Sequence, residues 1–419
     1  MRLGRYIMIN KCSFCDYNLE NPFLSLGSME LAGAFKKNQY IIQRKYPLDL
    51  TFCTNCFGVE VVEKISPEEL FHDYFYFSST IKTLVEHFEK YANSLSKKLD
   101  IIPKNTSVCE IGCNDGVLLK PLLKCGYNKV IGVDPARNVI SEIKIDGLIL
   151  YNDFFSEDFT SRLIAEHGYM DIILANNVFA HINNISSSIR AVKNLLSENG
   201  SFIFEVHYLL DLLETDQFDM IYHEHVYYYS VTACVKILSL YGLHVYDVEK
   251  LENHGGSLRV FAAHNSNFAK AAQSAELMKL LENEEEYGLK SRDRYIEFGS
   301  KVVAWREQFL NCLQHLKSNG AKIFGYGASG RANTLLQYCD LDFKTIEVML
   351  DDNSAKQGHF TPGSNIPIKD PSYIIKDRPD VIVIFAWTFA KEITQRLKSL
   401  GSDCQLIVPL PIIQQLDEY

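Results

Sequence analysis

The residues best suited to chemistry stand together in segment 221–230, which reads Ile-Tyr-His-Glu-His-Val-Tyr-Tyr-Tyr-Ser. Histidine titrates near neutrality and can take a proton from a weakly acidic C–H, and a neighbouring carboxylate can fix its tautomer and stabilise the imidazolium. A tyrosine hydroxyl can donate a hydrogen bond to a developing enolate oxygen. The group Tyr222, Glu224 and His225 therefore favours proton abstraction next to a carbonyl.

Two other interpretations of this segment are weaker. A metal site of the H-E-x-x-H type needs a different spacing from the His-Glu-His found at 223–225. A purely structural role among buried aromatic rings would account for any one of these residues. It does not account for the whole group.

A metal site is indicated instead by two C-x-x-C pairs, Cys12 with Cys15 and Cys53 with Cys56. Each short turn points two thiolates the same way, so together they predict a tetrahedral zinc site with four cysteine ligands. Four protein ligands leave no position for a reacting water, which indicates a structural role. A redox role is weaker because neither pair follows a thioredoxin-like βαβ pattern.

The scaffold predicted for the central part of the chain is an open α/β sheet whose strands end in polar residues. A first buried strand, 108–111, turns through Gly112 and Gly116 into a helix, and a second, 130–133, ends at Asp134. A strand-end acid of this kind can grip a ribose diol. The glycine spacing differs from G-x-G-x-x-G, so the usual dinucleotide loop is absent here.

The E-x-G-x-x-x-G turn with its strand-end aspartate resembles the S-adenosylmethionine (SAM) site of class I methyltransferases; an ordinary βα turn is the alternative. On this resemblance the turn approaches the methionine part and Asp134 holds the ribose. Polar residues after the third and fourth strands lie where open α/β sheets bind ligands. The predicted cofactor-binding residues are Glu110, Gly112, Asn114, Gly116, Asp134, Asp153, Asn176 and Asn177.

Length and composition limit the classes of protein. A chain of 419 residues predicts two or three domains. The net charge of -10, with no long Lys/Arg block, argues against nucleic acid binding. No uninterrupted apolar stretch of about 18 residues and no signal pattern is present, which predicts a cytoplasmic protein that does not enter a membrane. The eleven cysteines are then expected to be thiols and metal ligands.

Taken together, these motifs resemble the sugar C-methyltransferases, which act on nucleotide-linked keto-deoxysugars. The resemblance spans the chain: both cysteine pairs, the 110–116 turn, Asn-Asn-Val-Phe-Ala-His at 176–181, the Tyr-His-Glu-His block and 253–260. It implies an α/β protein with a zinc-binding domain over 1–66, a SAM-dependent methyltransferase domain with a helical lead-in over 67–265, and a C-terminal Rossmann-like domain over 266–419. The last would hold the nucleotide sugar.

The resemblance also implies a reaction. His225 would remove the proton alpha to a 4-keto group, Tyr222 and Glu224 would arrange the enolate and the base, and His181 and Tyr76 match further pocket residues. The enolate carbon, expected at C3, is the nucleophile that a sulfonium methyl requires, whereas oxygen and nitrogen methylation need no such base. The implied product is a branched-chain sugar.

A second glycine-rich loop, G-x-G-x-x-G at 325–330, precedes acids about 20 residues further on. Alone it predicts NAD binding, and a zinc-containing NAD-dependent oxidoreductase is the alternative function; a methyltransferase with another acceptor and a non-catalytic binding module also stay open. The resemblance instead implies that this loop contacts the diphosphate of the sugar nucleotide, with thymidine diphosphate as the expected nucleotide. The implied substrate-binding residues are His254, Gly256, Ser329, Arg331, Asn333 and Asp352.

Two smaller features of the C-terminal third complete the sequence-based expectations. Glu282 and the run 284–286 predict a solvated acidic face on a helix. Arg331 stands where the family often has lysine, so a cation is kept. A monomer is compatible with the sequence.

Overall fold

The structure is a computed structural model that describes residues 11–70 and 77–416. Its N-terminal region contains three antiparallel strands in which hydrophobic side chains point into a small core. Leu48, Leu50 and Phe52 alternate along the second strand and are buried, as expected for a strand with one core-facing side. The strands are β1 (Leu24–Met29), β2 (Tyr46–Phe52) and β3 (Val59–Val61).

The central region is a larger sheet flanked by helices. The helices are α1 (Pro67–Leu70), α2 (Lys82–Leu99), α3 (Leu119–Lys124), α4 (Arg137–Ile140), α5 (Glu157–His167), α6 (Ile185–Leu195), α7 (Leu209–Glu214) and α8 (Val231–Leu240). The strands are β4 (Ser107–Ile111), β5 (Lys129–Val133), β6 (Leu148–Tyr151), β7 (Met170–Asn176), β8 (Leu196–His207), β9 (Tyr227–Tyr228), β10 (Leu243–Leu251) and β11 (Ser257–His264).

Seven of these strands form one sheet in the order β10-β11-β8-β7-β4-β5-β6. The five from β8 to β6 are parallel, and the β10–β11 hairpin adds to β8 in antiparallel pairing. Strand β4 is buried throughout, because a parallel sheet is covered by helices on both faces. The chain reverses direction across the sheet between β4 and β7, and ligands bind at the carboxyl ends of strands at such a point.

Strand β9 joins the N-terminal sheet rather than the central one. It pairs with β3, placing Tyr227 opposite Glu60 and Tyr228 opposite Val59. Segment 221–230, which the sequence marks as reactive, contains β9. It is therefore attached to the N-terminal region by main-chain hydrogen bonds.

The C-terminal region is a second, mostly parallel sheet preceded by two long helices. Its order is β14-β13-β12-β15-β16-β17, with only the last pairing antiparallel. The strands are β12 (Ile323–Tyr326), β13 (Val348–Leu350), β14 (Ile368–Lys369), β15 (Val381–Ile384), β16 (Gln405–Val408) and β17 (Gln414–Leu416). The helices are α9 (Ala275–Tyr287), α10 (Arg292–Ser318), α11 (Gly330–Tyr338), α12 (Tyr373–Lys376) and α13 (Ala390–Ser399).

The predicted solvated acidic face on α9 is wrong at Glu284, which is fully buried. Its carboxylate accepts hydrogen bonds from the backbone N–H groups of Val231 at 2.6 Å and Thr232 at 2.7 Å, in the first turn of α8. Such N–H groups have no partner within their own helix, and the helix N-terminus favours negative charge. Leu277 and Leu280 share the buried face with Glu284, which is the spacing of one helical side.

Across residues 11–70 and 77–416, no helix combines the length and the apolar character needed to cross a bilayer.

Candidate active site

A cavity of about 800 Å³ lies at the carboxyl ends of the central strands. Its wall includes Gly33 from the N-terminal region and Gly330 from the C-terminal region, so all three regions contribute. The structure brings most of the predicted site residues to this wall. They are Gly112, Asn114, Asp134, Asp153, Asn176, Asn177, His181, Tyr222, Glu224, His225 and Arg331.

A tight turn places Tyr222 beside His225. The N–H of His225 donates to the carbonyl of Tyr222 at 2.9 Å, which closes a four-residue turn and brings its first and last side chains together. The two rings lie 4.0 Å apart by centroid, and the Tyr222 hydroxyl is 2.8 Å from His225 Nε2. His225 Nδ1 is 2.9 Å from the carbonyl oxygen of Met220. A carbonyl only accepts, so Nδ1 has the proton and Nε2 is the acceptor.

The expectation that Glu224 fixes the tautomer of His225 is therefore corrected, because the carbonyl of Met220 does so. The Glu224 carboxyl group instead lies against the backbone of Gly33, where an added Cβ atom would be 3.3 Å from Glu224 Oε1. Burial raises the pKa of Glu224, and its own N–H and that of Gly33 partly offset this rise.

His181 lies against the same turn. Its Nδ1 donates to the carbonyl of Glu224 at 2.6 Å, and its ring meets that of His225 edge-on at 5.0 Å. Burial lowers the pKa of His181, which favours a neutral imidazole at neutral pH. Tyr76, the other predicted pocket residue, lies outside the described residues.

The turn after β4 adopts positive φ angles that favour glycine. Gly112 adopts φ +64°, and its N–H donates to the carbonyl of Val133 at 2.8 Å. Asp134 accepts from the N–H groups of Asn114 at 2.9 Å and Ala136 at 2.8 Å, which orients its carboxyl group on the cavity wall. Burial raises the pKa of Asp134. Gly116, with φ +78°, shapes the turn but does not line the cavity.

Gly112→Ala is expected to lower the affinity for S-adenosylhomocysteine by at least about 10-fold. Alanine is strained in the left-handed backbone conformation at this position, and its Cβ atom would clash with a neighbouring side chain. The new Cβ would lie 2.3 Å from Val178 Cγ2 on the cavity wall. Titration calorimetry measures the effect. Gly126→Ala is the control, since Gly126 also has positive φ but no neighbouring atom within 4 Å. Wild-type affinity in Gly112→Ala would contradict this use of the turn.

Glu110 lies beneath the turn and does not line the cavity. Its pKa is raised to about 8 by burial, and its Oε1 accepts from Asn176 Nδ2 at 3.3 Å. In the described part of the chain, Glu110 Oε2 and Asn176 Oδ1 are buried acceptors with no hydrogen-bond donor. Asn176 is on the cavity wall, and its unsatisfied Oδ1 beside the Gly112 turn fits a ligand with an ammonium group, as the methionine part of SAM has.

Several cavity residues were missed by the sequence analysis. Ser78 is one of them: its N–H donates to Asn114 Oδ1 at 3.0 Å, and Ser79 bonds Asp115, so the segment before α2 is fastened to the glycine turn. Phe154 and His207 also line the cavity. Phe154 directly follows Asp153, a predicted cofactor-binding residue, and His207 is the last residue of β8, so these neighbourhoods were the available signal.

The four predicted zinc ligands come together. Their sulfurs lie within 4.8 Å of one another, with Cys12 and Cys56 Sγ 3.5 Å apart and Cys15 and Cys53 Sγ 3.6 Å apart. A zinc ion with Zn–S bonds of about 2.3 Å separates tetrahedral sulfurs by about 3.8 Å, so this group fits the metal.

The zinc site supports the reactive segment directly. Phe14, between Cys12 and Cys15, packs against Tyr227 at 4.7 Å between ring centroids. Lys64 Nζ donates to the Tyr227 hydroxyl at 2.6 Å. The buried His223 ring contacts the carbonyls of Tyr46 and Pro47 at 3.2 Å, and burial lowers its pKa. His223 therefore fastens the segment to β2 rather than facing the cavity.

Comparison with known proteins decides the family. The C-methyltransferase NovU of Streptomyces niveus is 30% identical over 406 residues, which is 96% of this chain and 96% of that protein. This chain belongs to the C-methyltransferase family. Family models match in the same order as the three regions: a zinc binding domain over 12–71, a methyltransferase domain over 84–248, and a C-methyltransferase C-terminal domain over 252–411.

Similarities over shorter stretches are found with other methyltransferases. A ubiquinone biosynthesis O-methyltransferase of Azorhizobium caulinodans is 29% identical over 123 residues, covering 29% of this chain and 46% of that protein. A solved structure of magnesium protoporphyrin IX methyltransferase from Synechocystis PCC 6803 with bound SAM aligns with 16% identity and a TM-score of 0.33, covering 47% of this chain and 88% of that one.

The family assignment confirms that this C-methyltransferase is a SAM-dependent enzyme with a zinc-binding domain. It decides against the oxidoreductase alternative. Gly112, Asn114 and Asp134, which line the cavity, would hold SAM, which supplies the methyl group, and the four cysteines would hold zinc.

The residues predicted to bind the sugar nucleotide are divided by the structure. Arg331 lines the cavity, and its guanidinium pairs with the buried Asp219 through two bonds of 2.8 and 3.0 Å. Trp387 Nε1 also donates to Asp219, at 2.8 Å. Asp352, by contrast, lies away from the cavity wall and accepts from Tyr326 at 2.7 Å.

The other members of that group have local roles. Ser329 caps α11 by accepting from the N–H of Ala332, and the amide nitrogen of Asn333 donates to the carbonyl of Ala32 at 2.7 Å. Gly256 has φ +121° and precedes Ser257 on the cavity wall. The side chain of His254 is outside the described part of the structure. Contact of these residues with a nucleotide stays a prediction.

Asp219→Ala is expected to lower the free energy of unfolding by about 3 kcal/mol, because it leaves the Arg331 charge and the Trp387 N–H without their shared acceptor. Urea denaturation measures this change. In the control, Glu297→Ala breaks an exposed ion pair with Arg294 and should cost less than about 1 kcal/mol. Equal costs for the two variants would contradict a structural role for the buried pair.

Proposed function

We propose that this C-methyltransferase moves the methyl group of SAM to C3 of a nucleotide-linked 4-keto-deoxysugar, with thymidine diphosphate as the nucleotide. The observation that supports it most is the Tyr222–His225 pair on the cavity wall, in which the bond from Nδ1 to Met220 leaves Nε2 as the acceptor of the neutral imidazole. Methylation of oxygen or nitrogen needs no base aimed at a C–H. A carbon acceptor does need such a base, unless the proton has already been removed from that carbon.

In the proposed reaction His225 and Tyr222 act as one acid–base unit. The proton leaves C3 for His225 Nε2, and the electron pair of the C–H bond forms the enolate, whose charge rests on the C4 oxygen. The hydroxyl of Tyr222, 2.8 Å from Nε2 in this structure, can turn to donate to that oxygen. The enolate carbon then forms a bond to the methyl carbon as the sulfonium–methyl bond breaks, and S-adenosylhomocysteine leaves.

The surroundings of the pair suit this chemistry. His181, with its pKa lowered by burial, is a neutral hydrogen-bonding group next to His225. Positioning contributes as much as acid–base work, because the methyl group and the enolate carbon must be held about 3 to 3.5 Å apart and in line. The glycine turn lines one part of the cavity. Arg331, whose guanidinium can bind phosphate oxygens, lines another part.

Two measurements on the wild-type enzyme test the proposal. A thymidine-diphosphate-linked 4-keto-6-deoxyhexose incubated in deuterated water without SAM should exchange one ring proton, which proton NMR detects. Addition of SAM should yield a sugar with a new carbon-bound methyl group and S-adenosylhomocysteine. Methylation on oxygen, or methyl transfer with no exchangeable ring proton, would refute the proposed mechanism.

A further inference from the structure

The loop after β1, residues 30–36, joins the N-terminal and C-terminal regions, and we refer to it as the junction loop. Glu30 and Lys36 at its ends form a buried ion pair of 2.7 Å. The N–H of Gly363 donates to Glu30 at 2.6 Å. Lys36 and Phe360 exchange two backbone hydrogen bonds of 2.8 and 2.9 Å. Both ends of the loop are thus fixed to the C-terminal region.

Helix α11 holds the middle of the junction loop. Asn333 Nδ2 donates to the carbonyl of Ala32 at 2.7 Å. Gln337 accepts from the N–H of Glu30 at 2.8 Å and donates to its carbonyl at 3.1 Å. The same helix begins at Gly330 and Arg331 on the cavity wall. Helix α11 therefore connects the cavity wall to the loop through side-chain hydrogen bonds.

The opposite side of the junction loop faces the reactive segment at Gly33. This residue lines the cavity, and its backbone closely approaches the carboxyl group of Glu224. A Cβ atom at position 33 would lie 3.3 Å from Glu224 Oε1. Glu224 Oε2 is buried and has no hydrogen-bond partner within the described residues. The contact with Gly33 is thus one of few that orient this carboxyl group.

We propose that Gly33 is a positioning residue for Glu224, and that the junction loop transmits the position of α11 to that carboxyl group. The inference rests on the proposed function and on the expectation that Glu224, between Tyr222 and His225 in the same turn, helps to arrange the enolate. It makes the N-terminal region a part of the catalytic centre through one close backbone contact. It also gives the C-terminal region, expected to hold the nucleotide, a physical connection to the reacting end of the sugar.

A double-mutant cycle between Gly33→Ala and Glu224→Gln tests this proposal. The added methyl group forces the carboxyl group away by a few tenths of an ångström. Gly33→Ala alone should lower kcat about 10-fold with KM for the sugar nucleotide changed less than about twofold. In the Glu224→Gln background it should change kcat less than about twofold. Equal losses in both backgrounds would overturn the proposal, since a general structural defect is additive.

The titration of Glu224 gives a second readout that does not need turnover. The backbone N–H of Gly33 lowers the pKa of Glu224, so moving the carboxyl group away from it raises that pKa. The carboxyl band that disappears in Glu224→Gln, followed by difference infrared spectroscopy, should titrate at higher pH in Gly33→Ala. The acid limb of the pH profile of kcat should move the same way. An unchanged titration would overturn the proposal even if wild-type enzyme proved inactive on the keto sugar.

Two further variants separate positioning from folding. Ala34→Gly, a one-methyl change at the neighbouring residue, which does not line the cavity, should leave both readouts at wild-type values. Asn333→Ala loosens the loop from α11 and should shift the Glu224 titration in the same direction as Gly33→Ala. Failure of Asn333→Ala to do so would restrict the proposal to Gly33 and overturn transmission from α11. Absence of ring-proton exchange in wild-type enzyme would instead count against the proposed function.

Discussion

His225→Ala is expected to lower kcat by about 10³-fold and to abolish exchange of the substrate ring proton with deuterated water. The substitution removes Nε2, which is the proton acceptor of the neutral imidazole when Nδ1 donates to the carbonyl of Met220. It also removes the partner of the Tyr222 hydroxyl. Proton NMR of the keto sugar without SAM isolates the proton-transfer step from methyl transfer, so both losses can be measured on the same protein.

Two variants make this result specific. Tyr222→Phe keeps the ring packed on His225 but lacks the hydroxyl, so exchange should fall by about 10²-fold without disappearing. His315→Ala changes an exposed histidine near the end of α10 and should leave exchange unchanged. Wild-type exchange in His225→Ala would show that another group removes the proton, and His181, with its ring 5.0 Å away, would be the first to test.

Cys53→Ala is expected to abolish zinc binding and to lower turnover by at least about 10²-fold. Structural zinc sites supply about 10 kcal/mol or more of folding free energy, so the N-terminal region should lose its fold. The reactive turn would then lose its support, because β9 pairs with β3 and Tyr227 packs on Phe14. Metal analysis, calorimetric melting and turnover measure the three effects.

Cys125→Ala is the matched control for the zinc variant. Cys125 lies outside the zinc group, with its sulfur 3.3 Å from the side-chain oxygen of Asn93. We expect full zinc content and nearly wild-type turnover. A zinc-free Cys53→Ala enzyme with wild-type kcat would show that the reactive turn is held by the central region alone.

The parts of the site that sequence predicted well are those with a local cause. The buried runs 108–111 and 130–133 predict strands, and both lie within observed strands, Ser107–Ile111 and Lys129–Val133. Tyr222 and His225 are three residues apart, and one turn brings them together. Each cysteine pair is also set by a short local turn, so only the contact between the two pairs depends on the rest of the fold.

The parts that sequence could not predict depend on distant contacts. Asn333 follows a glycine-rich loop. An asparagine at such a position can bind a phosphate or donate a hydrogen bond to a buried carbonyl, and the sequence does not distinguish these two roles. In the structure its amide nitrogen bonds Ala32, 301 positions away. Glu284 stands in an acidic run, yet it caps a helix. Gly33 offers only a backbone N–H, which has no signature in the sequence.

Strand β9 lies far along the chain from β1 to β3 but completes their sheet, and this has a consequence for synthesis and for protein engineering. While the ribosome has not yet released residues 227–228, β3 is an open edge with the apolar Val59 and Val61 unprotected, and open strand edges recruit other chains. A fragment that stops at residue 66 keeps that edge permanently and should aggregate even when loaded with metal. Chimaeras that exchange the zinc module between relatives must therefore also exchange the two tyrosines that close its sheet.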